Sequence, residues 1–180
     1  MKSGSTPSLT KAADIESELA KLVGLRLFKC WKLLGTRIFY FSAAGPETPR
    51  SDWDFMLSLE CPWRIEKRDQ VVVGSQDYGL PASGNSDPAW KPNAQSGHLQ
   101  DEKLRELLGR QEDAAIYSLR PDLVVESVKA DAVGGFRLQL SGGYSLAAFP
   151  TTDNDMQWLL KRSTGGYLIL MKGSLHRADG

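Results

Sequence analysis

Residues 55 to 66 alternate between apolar and polar side chains with almost no interruption. The apolar set is Phe55, Leu57, Leu59, Cys61, Trp63 and Ile65, and the mostly polar set is Met56, Ser58, Glu60, Pro62, Arg64 and Glu66. Since neighbouring side chains of a β-strand point to opposite faces, this pattern predicts a strand with one face on a hydrophobic core and one in water. We expect the strand to bend near Pro62, because proline has no N–H to donate to a sheet.

The rest of the chain predicts further strands and one or two helices. Apolar residues recur at helical spacing in 10–23 and 100–108, and each segment ends at a glycine, Gly24 or Gly109. Runs rich in β-forming residues pair into three hairpins: 25–33 with 36–42, 135–140 with 144–149, and 155–162 with 167–172. The expected fold class is therefore α+β, a mainly antiparallel sheet or sheets of about eight strands with one or two covering helices.

The length of 180 residues is typical of a single domain, here 1–180. Two stretches, WRIEKRDQVVVGS from Trp63 and WLLKRSTGGYLILMKGS from Trp158, share a pattern that ends in Gly-Ser. One interpretation is an internal duplication with pseudo-repeat halves 24–77 and 122–174 and a groove between them. Residues 76–98 form a long polar loop, which is either a disordered insertion or a lid.

The charge of the chain is balanced, with 22 basic and 22 acidic residues, and each half carries 11 of each. Nucleic-acid binding depends on contacts to phosphates and usually leaves a basic footprint, so we expect no nucleic-acid partner. We also expect no membrane partner and a cytoplasmic location, because the sequence has neither a secretory signal pattern nor a run of about 20 apolar residues. Edge strands offer a route to a homodimer.

Catalytic motifs such as GxGxxG, a P-loop, GxSxG and HExxH do not occur in the sequence. Two cysteines, Cys30 and Cys61, have no metal-ligand spacing and are expected to be small buried side chains. Both histidines, His98 and His176, are expected to be ordinary surface residues. We predict no catalytic residue, no metal and no cofactor. One enzymatic alternative stays open, a metal-dependent hydrolase that uses the clusters Asp52 with Asp54 and Asp153 with Asp155.

Four residues are the candidates for contact with a partner or ligand: Trp53, Arg64, Tyr78 and Trp90. Trp53 and Trp90 flank or occupy predicted loops, where a large aromatic side chain has no packing role. Tyr78 lies in the same polar loop as Trp90, and Arg64 lies beside Trp63 on the polar face of its strand. Aromatic and arginine side chains dominate protein interfaces, which makes these four the first choice for a binding surface.

The C-terminal segment VVESVKADAVGGFRLQLSGGYSLAAFPTTDNDMQWLLKR resembles the closing segment of a group of uncharacterised bacterial proteins. The matching residues are Gly135, Phe136, Leu138, Leu140, Gly142, Gly143, Leu146, Phe149, Pro150 and Trp158. A second shared element is CPWRIEKRDQVVVGSQD, with Trp63, Arg64, Gly74, Ser75 and Asp77. Some small proteins of this kind occur near bacterial toxin genes, so the resemblance implies an immunity-like role.

Two functional hypotheses follow besides the hydrolase. In the first, the chain is a non-catalytic cytosolic domain that binds another protein, as an immunity factor does. In the second, it is a small-molecule binding module with an aromatic groove between the two halves. A stable protein partner distinguishes the first hypothesis, and a copurifying or stabilising ligand distinguishes the second.

Overall fold

The computed structural model describes residues 8–43, 53–87, 89–91, 97–112, 115–120, 122–153 and 155–179. Within these ranges the chain forms two α-helices, thirteen β-strands and three short 3-10 helices. The elements are α1 (Ser8–Leu19), β1 (Arg26–Leu33), β2 (Thr36–Ser42), β3 (Phe55–Leu59), β4 (Trp63–Lys67), β5 (Gln70–Gly74), α2 (Leu99–Leu108), β6 (Gly109–Glu112), β7 (Ala115–Ser118), β8 (Val125–Ala130), β9 (Phe136–Leu140), β10 (Tyr144–Ala148), β11 (Met156–Arg162), β12 (Tyr167–Met171) and β13 (Ser174–Ala178).

The strands form two antiparallel sheets. The larger has eight strands in the order β13-β12-β11-β3-β2-β1-β7-β6, and the smaller has five in the order β5-β4-β10-β9-β8. The expected α+β class with mainly antiparallel strands is therefore confirmed. The strand count exceeds the expected eight, because the larger sheet alone holds eight strands and the smaller sheet adds five more.

The long strand predicted over 55–66 is two strands that belong to different sheets. The chain leaves the larger sheet after Leu59 and enters the smaller sheet at Trp63. At this corner the amides of Glu60 and Cys61 both donate to the carbonyl of Gln157, at 3.0 Å each. Pro62 lacks an N–H and ends the pairing there. The alternation still runs through the corner, because both strands turn the same set of side chains toward one core.

That core is a continuous cluster of buried side chains from the inner faces of both sheets and from the helices. From β3, the corner and β4 it takes Leu57, Leu59, Cys61, Trp63 and Ile65. Helix α1 adds Ile15 and Leu19, and α2 adds Leu104, Leu107 and Leu108. Helix α1 packs against β8 of the smaller sheet, and α2 packs against β6 and β7 of the larger sheet and β5 of the smaller one, so the apolar stripe of each helix faces the shared core.

The predicted hairpins are confirmed, and the turns of the second and third contain paired glycines at positive φ. Gly142 and Gly143 have φ of 71° and 75°, and Gly165 and Gly166 have φ of 102° and 79°. These positive values are the left-handed region that glycine adopts at little cost. Strands β6, β7 and β13 were not predicted, because they are short edge or near-edge strands with few apolar residues.

A buried carboxylate fastens α1 to the larger sheet. Glu18 accepts hydrogen bonds from Lys21 at 2.6 Å, from Arg162 of β11 at 2.9 Å and from Arg177 of β13. Burial alone would raise the pKa of the Glu18 carboxyl, but these three cations outweigh it and lower that pKa.

Neither helix within the described ranges has the length and apolar character that a membrane-spanning helix needs.

Candidate functional site

The outer face of the larger sheet, the side away from the core, carries two transverse rows of side chains that the strand register brings together. The first row reads Arg110, Tyr117, Lys29, Tyr40, Met56, Lys161, Tyr167 and Ala178 from edge to edge. The second reads Ala115, Trp31, Ile38, Ser58, Leu159, Ile169 and His176. Cross-strand partners lie on the same face of a sheet, so each row is one line of neighbouring side chains.

Along each strand, residues of the two rows alternate with core residues. This alternation determines the direction in which the side chains of the rows point. Cys30, Phe39, Leu57, Leu160 and Leu168 form the line between them and belong to the buried core. Since side chains on a strand alternate between faces, the two rows point away from the smaller sheet and both helices. We call the two rows together the outer face. It is apolar and aromatic for much of its width.

Lysines are interleaved with the tyrosines of the outer face. Lys29 Nζ lies 4.9 Å from the ring centroid of Tyr40 and 5.4 Å from that of Tyr117. Burial, together with the nearby Tyr117, raises the pKa of the Tyr40 phenol. In the part of the chain that the structure describes, neither Lys29 nor Lys161 forms an ion pair. These two ammonium groups are therefore available to an external carboxylate.

Trp53 extends the outer face at the end of β2. Its ring meets the ring of Tyr40 edge to face, with centroids 5.9 Å apart and planes at 67°. On the other side of Tyr40 lies Phe28, which occupies a bulge in β1, with the two centroids 6.5 Å apart. Of the four candidates chosen from the sequence, Trp53 is the one that the structure places beside the outer face.

Arg64 lies on a different surface, the solvent face of the smaller sheet. It pairs with Glu66, and its guanidinium lies 4.7 Å from the ring centroid of Phe149. Glu66 is also paired with Arg137, which donates to Ser145 at 2.6 Å. Hydrogen bonds from Arg137 and Arg64 lower the pKa of Glu66, although burial opposes them. This surface is polar and its charges satisfy one another, unlike the outer face of the larger sheet.

Tyr78 and Trp90 come together around His98, on the inner side of the larger sheet near α2. The Tyr78 and His98 rings stack with centroids 4.2 Å apart and planes at 13°. Trp90 meets His98 edge to face at 5.6 Å. His98 Nδ1 lies 2.5 Å from the carbonyl oxygen of Tyr78, which can only accept a hydrogen bond, so Nδ1 is the donor. The expectation that His98 is a surface residue was wrong, because its exposed fraction is 1%.

A buried arginine that was not among the predicted site residues lies next to this cluster. Arg37, 2% exposed, donates to Gln100 and, at 2.7 Å, to Asp101 of α2. Lys32 reaches the same Asp101 carboxylate at 2.9 Å. Burial would raise the pKa of Asp101, but the bonds and charges of Arg37 and Lys32 outweigh burial and lower it. These contacts hold α2 on the sheet. The signal for Arg37 in the sequence was the apolar run that follows it in TRIFYFS. A charged residue in a buried strand needs a buried partner.

The residues proposed for catalysis do not converge. Asp54 precedes β3 beside Arg162, whereas Asp155 precedes Met156 at the other end of β11, and Asp52 lies outside the described residues. No group of three or more His, Cys, Asp or Glu among the described residues could hold a metal ion. Both cysteines are free and buried, as expected. Burial raises the pKa of Cys30 to about 11 and that of Cys61 to about 12, so neither is an activated nucleophile.

Comparisons with protein-family models, with curated proteins and with solved structures found no match. The resemblance to uncharacterised bacterial proteins, the single domain 1–180 and the duplication of 24–77 and 122–174 therefore stay predictions. The outer face of the larger sheet is the surface whose chemistry calls for a functional explanation.

Proposed function

We propose that the chain is a non-catalytic protein-binding domain that docks its partner on the outer face of the larger sheet. The observation that carries this proposal is the chemistry of that face, where tyrosine, tryptophan and aliphatic side chains surround lysines without an internal ion pair. Strand β2 is apolar on both faces, with Ile38 and Tyr40 outward, only 6% and 7% exposed. The accessible part of the outer face is therefore formed by half-buried and exposed neighbours such as Trp31, Leu159 and Tyr167. A sheet face that only meets water does not need this composition.

The charge of the outer face favours an acidic partner surface. Lys29 and Lys161 lie along the first row, and the described side chains of the two rows include no carboxylate. Opposite potentials across an interface speed association and exclude wrong partners. A second copy of this chain, face to face, would bring these cations together, so we propose a different protein rather than a homodimer.

A nucleic-acid partner explains the face less well. Aromatic and basic side chains on a sheet are typical of single-strand binding surfaces, but those surfaces sit in a strongly positive groove. This chain has no excess of positive charge, and the middle of its outer face is aliphatic, with Ile38, Leu159 and Ile169. Aliphatic side chains contribute to protein interfaces and little to stacking on bases.

The same proposal includes the immunity-like role and the cytoplasmic location. A small domain that holds one protein target through one face is what an immunity factor requires. Two free, buried thiols, Cys30 and Cys61, suit a reducing compartment. The small-molecule alternative has less support, because side chains of the two sheets meet in the core, as Phe39 of the larger sheet does with Trp63 of the smaller sheet at a centroid distance of 5.2 Å.

The proposal is tested by partner capture with the wild-type chain and two variants that carry the same Lys→Glu change on different sheets. The full chain is immobilised as wild type, as Lys29→Glu and as Lys129→Glu, and is exposed to lysate of the source organism. Lys129 is the control, because it is an exposed lysine on β8 of the smaller sheet. We expect one stoichiometric acidic protein that Lys129→Glu retains and Lys29→Glu loses, with the affinity then measured on the purified pair.

A second arm addresses nucleic acid directly. A fluorescent 20-nucleotide poly(U) is titrated with the wild-type chain and with Lys29→Glu. We expect no saturable binding. Saturable binding that Lys29→Glu removes, together with no captured protein, would overturn the proposal and make the outer face a nucleic-acid platform.

A further inference from the structure

The outer face is concave at one end, between β11, β12 and β13. A cavity of about 380 Å³ is lined there by Leu159, Lys161, Tyr167, Ile169, Met171 and His176. The register explains why these six meet: Leu159 and His176 both pair with Ile169, and Lys161 pairs with Tyr167. We call this cavity the strand-end pocket.

The strand-end pocket has an apolar floor and a polar rim. Leu159, Ile169 and Met171 are half-buried and supply aliphatic surface, and the unbranched Met171 side chain adapts to the shape of what it contacts. Lys161, Tyr167 and His176 are exposed around them, and Tyr167 is 43% exposed. Neither Lys161 nor His176 has a hydrogen bond or ion pair within the described residues. The polar rim therefore offers N–H groups of Lys161 and His176 that donate to no acceptor within the described residues.

The shape favours a side chain of another protein over a free small molecule. All six lining residues come from one layer of side chains on one sheet face, so the pocket is open on the side away from the sheet. Sites for small ligands enclose most of the ligand surface. An anchor side chain of a docked protein does not need such enclosure, because its own chain covers the open side and excludes water.

We propose that the strand-end pocket receives one aliphatic side chain of the partner, such as leucine, with a carboxylate next to it in the partner sequence. The aliphatic group packs on Leu159, Ile169 and Met171, and the carboxylate accepts hydrogen bonds from Lys161 and His176. This inference rests on the proposed function and narrows it: the partner presents an acidic segment with an aliphatic anchor to this end of the outer face.

Three capped pentapeptides test the pocket without the natural partner: DELED, DEAED and KKLKK. They are titrated into the full chain labelled with 13C at isoleucine δ1 and methionine ε methyls. DELED should shift the Ile169 and Met171 signals saturably, while the core signals of Ile65 and Ile116 stay fixed. DEAED should bind about tenfold more weakly, because the apolar anchor is lost, and KKLKK should cause no shift. Equal shifts from all three peptides, or no shift with DELED, would overturn the inference.

Two variants separate this inference from the proposed function. Lys161→Glu changes an exposed residue and should abolish DELED binding, whereas the matched change Lys129→Glu should leave it intact. If partner capture depends on Lys29 while DELED fails to shift Ile169, the pocket inference falls and the docking face stands. If Lys29→Glu and Lys161→Glu both retain the partner, both proposals fall.

Discussion

Lys29 and Tyr40 are cross-strand neighbours on the outer face of the larger sheet, and the lysine ammonium lies 4.9 Å from the tyrosine ring centroid. The arrangement gives an apolar surface a positive charge that nothing in the described chain neutralises. A cation held over an aromatic ring is attracted to it by about 0.5–1 kcal/mol at an exposed site. Lys29 is thus fixed in place without losing its ability to pair with an acidic partner.

The first prediction concerns ionic strength. Association with the captured partner should slow as salt rises from about 0.05 to about 0.5 M, because salt screens the attraction between the lysines and an acidic surface. Lys29→Gln should make the association rate less dependent on salt. Surface plasmon resonance with the purified pair measures both. An association rate that is the same at all salt concentrations would mean that the cations of the outer face do not guide docking.

The second prediction concerns the buried carboxylate of α1. Glu18→Gln should lower the free energy of unfolding by about 1–3 kcal/mol at neutral pH, because three cations lose the negative charge and one of the two acceptor oxygens that they share. The exposed Glu126 on β8 is the matched control, and Glu126→Gln should change stability by less than about 0.5 kcal/mol. Urea denaturation measures both variants. Equal stability of the two would show that Glu18 does not fasten the helix.

The third prediction is the pH dependence of that contact. The folded-state pKa of Glu18 is lowered, so the carboxylate contributes stability above its unfolded pKa, and that contribution is lost as the pH falls through the folded pKa. The stability difference between wild type and Glu18→Gln should therefore be full at pH 7 and shrink below a pH of about 4.5. A difference that grows on acidification would contradict this sign.

The fourth prediction concerns Arg37. Arg37→Ala should destabilise the fold by about 3–5 kcal/mol, because it leaves Gln100 and the Asp101 carboxylate short of a buried partner. The control Arg105→Ala, in α2, removes an exposed arginine and should cost less than about 0.5 kcal/mol. Thermal and urea unfolding compare the two variants. If Arg37→Ala is as stable as Arg105→Ala, the buried network is not what holds α2 to the sheet.

The fifth prediction concerns thiol reactivity. Cys30 and Cys61 should not react with a thiol reagent at pH 8 in the native chain, since both are buried and burial raises their pKa. Both should react at once in denaturant. Ser174→Cys places a thiol at an exposed position and serves as a positive control for the native state. Fast native labelling of the wild type would mean that the core opens readily.

The core of this fold could be predicted from the sequence, because its signal is local. Alternation over 55–66 identified the inward side chains even though the chain changes sheets at the Glu60 to Pro62 corner. Glycines and helical spacing likewise identified α1, α2 and the hairpins. The division into two sheets could not be predicted, since it depends on which distant strands pair, such as β11 with β3 and β10 with β4.

The candidate site was predicted only in part, for the same reason. Trp53 was chosen from its place in a loop, and the structure puts it against Tyr40 of the outer face. Lys29 and Tyr40 lie in one predicted hairpin, and Lys161 and Tyr167 lie in another. The two hairpins are far apart in the chain and are brought together only by β3, which pairs with β2 and β11 in the larger sheet. The available signal was the run TRIFYFS, which is apolar on both faces and so implies that both faces meet something other than water.

Hydroxyl-radical footprinting of the purified complex tests the docking face most directly. The radical oxidises aromatic and methionine side chains that solvent can reach. The outer face supplies the half-buried Trp31 and Met56 and the exposed Tyr167, while the exposed Phe149 reports on the smaller sheet. A partner docked on the outer face should protect Trp31, Met56 and Tyr167 and leave Phe149 as reactive as in the free chain. Protection of Phe149, or of Tyr78 and Trp90, with no change at the three outer-face residues would contradict docking on the outer face.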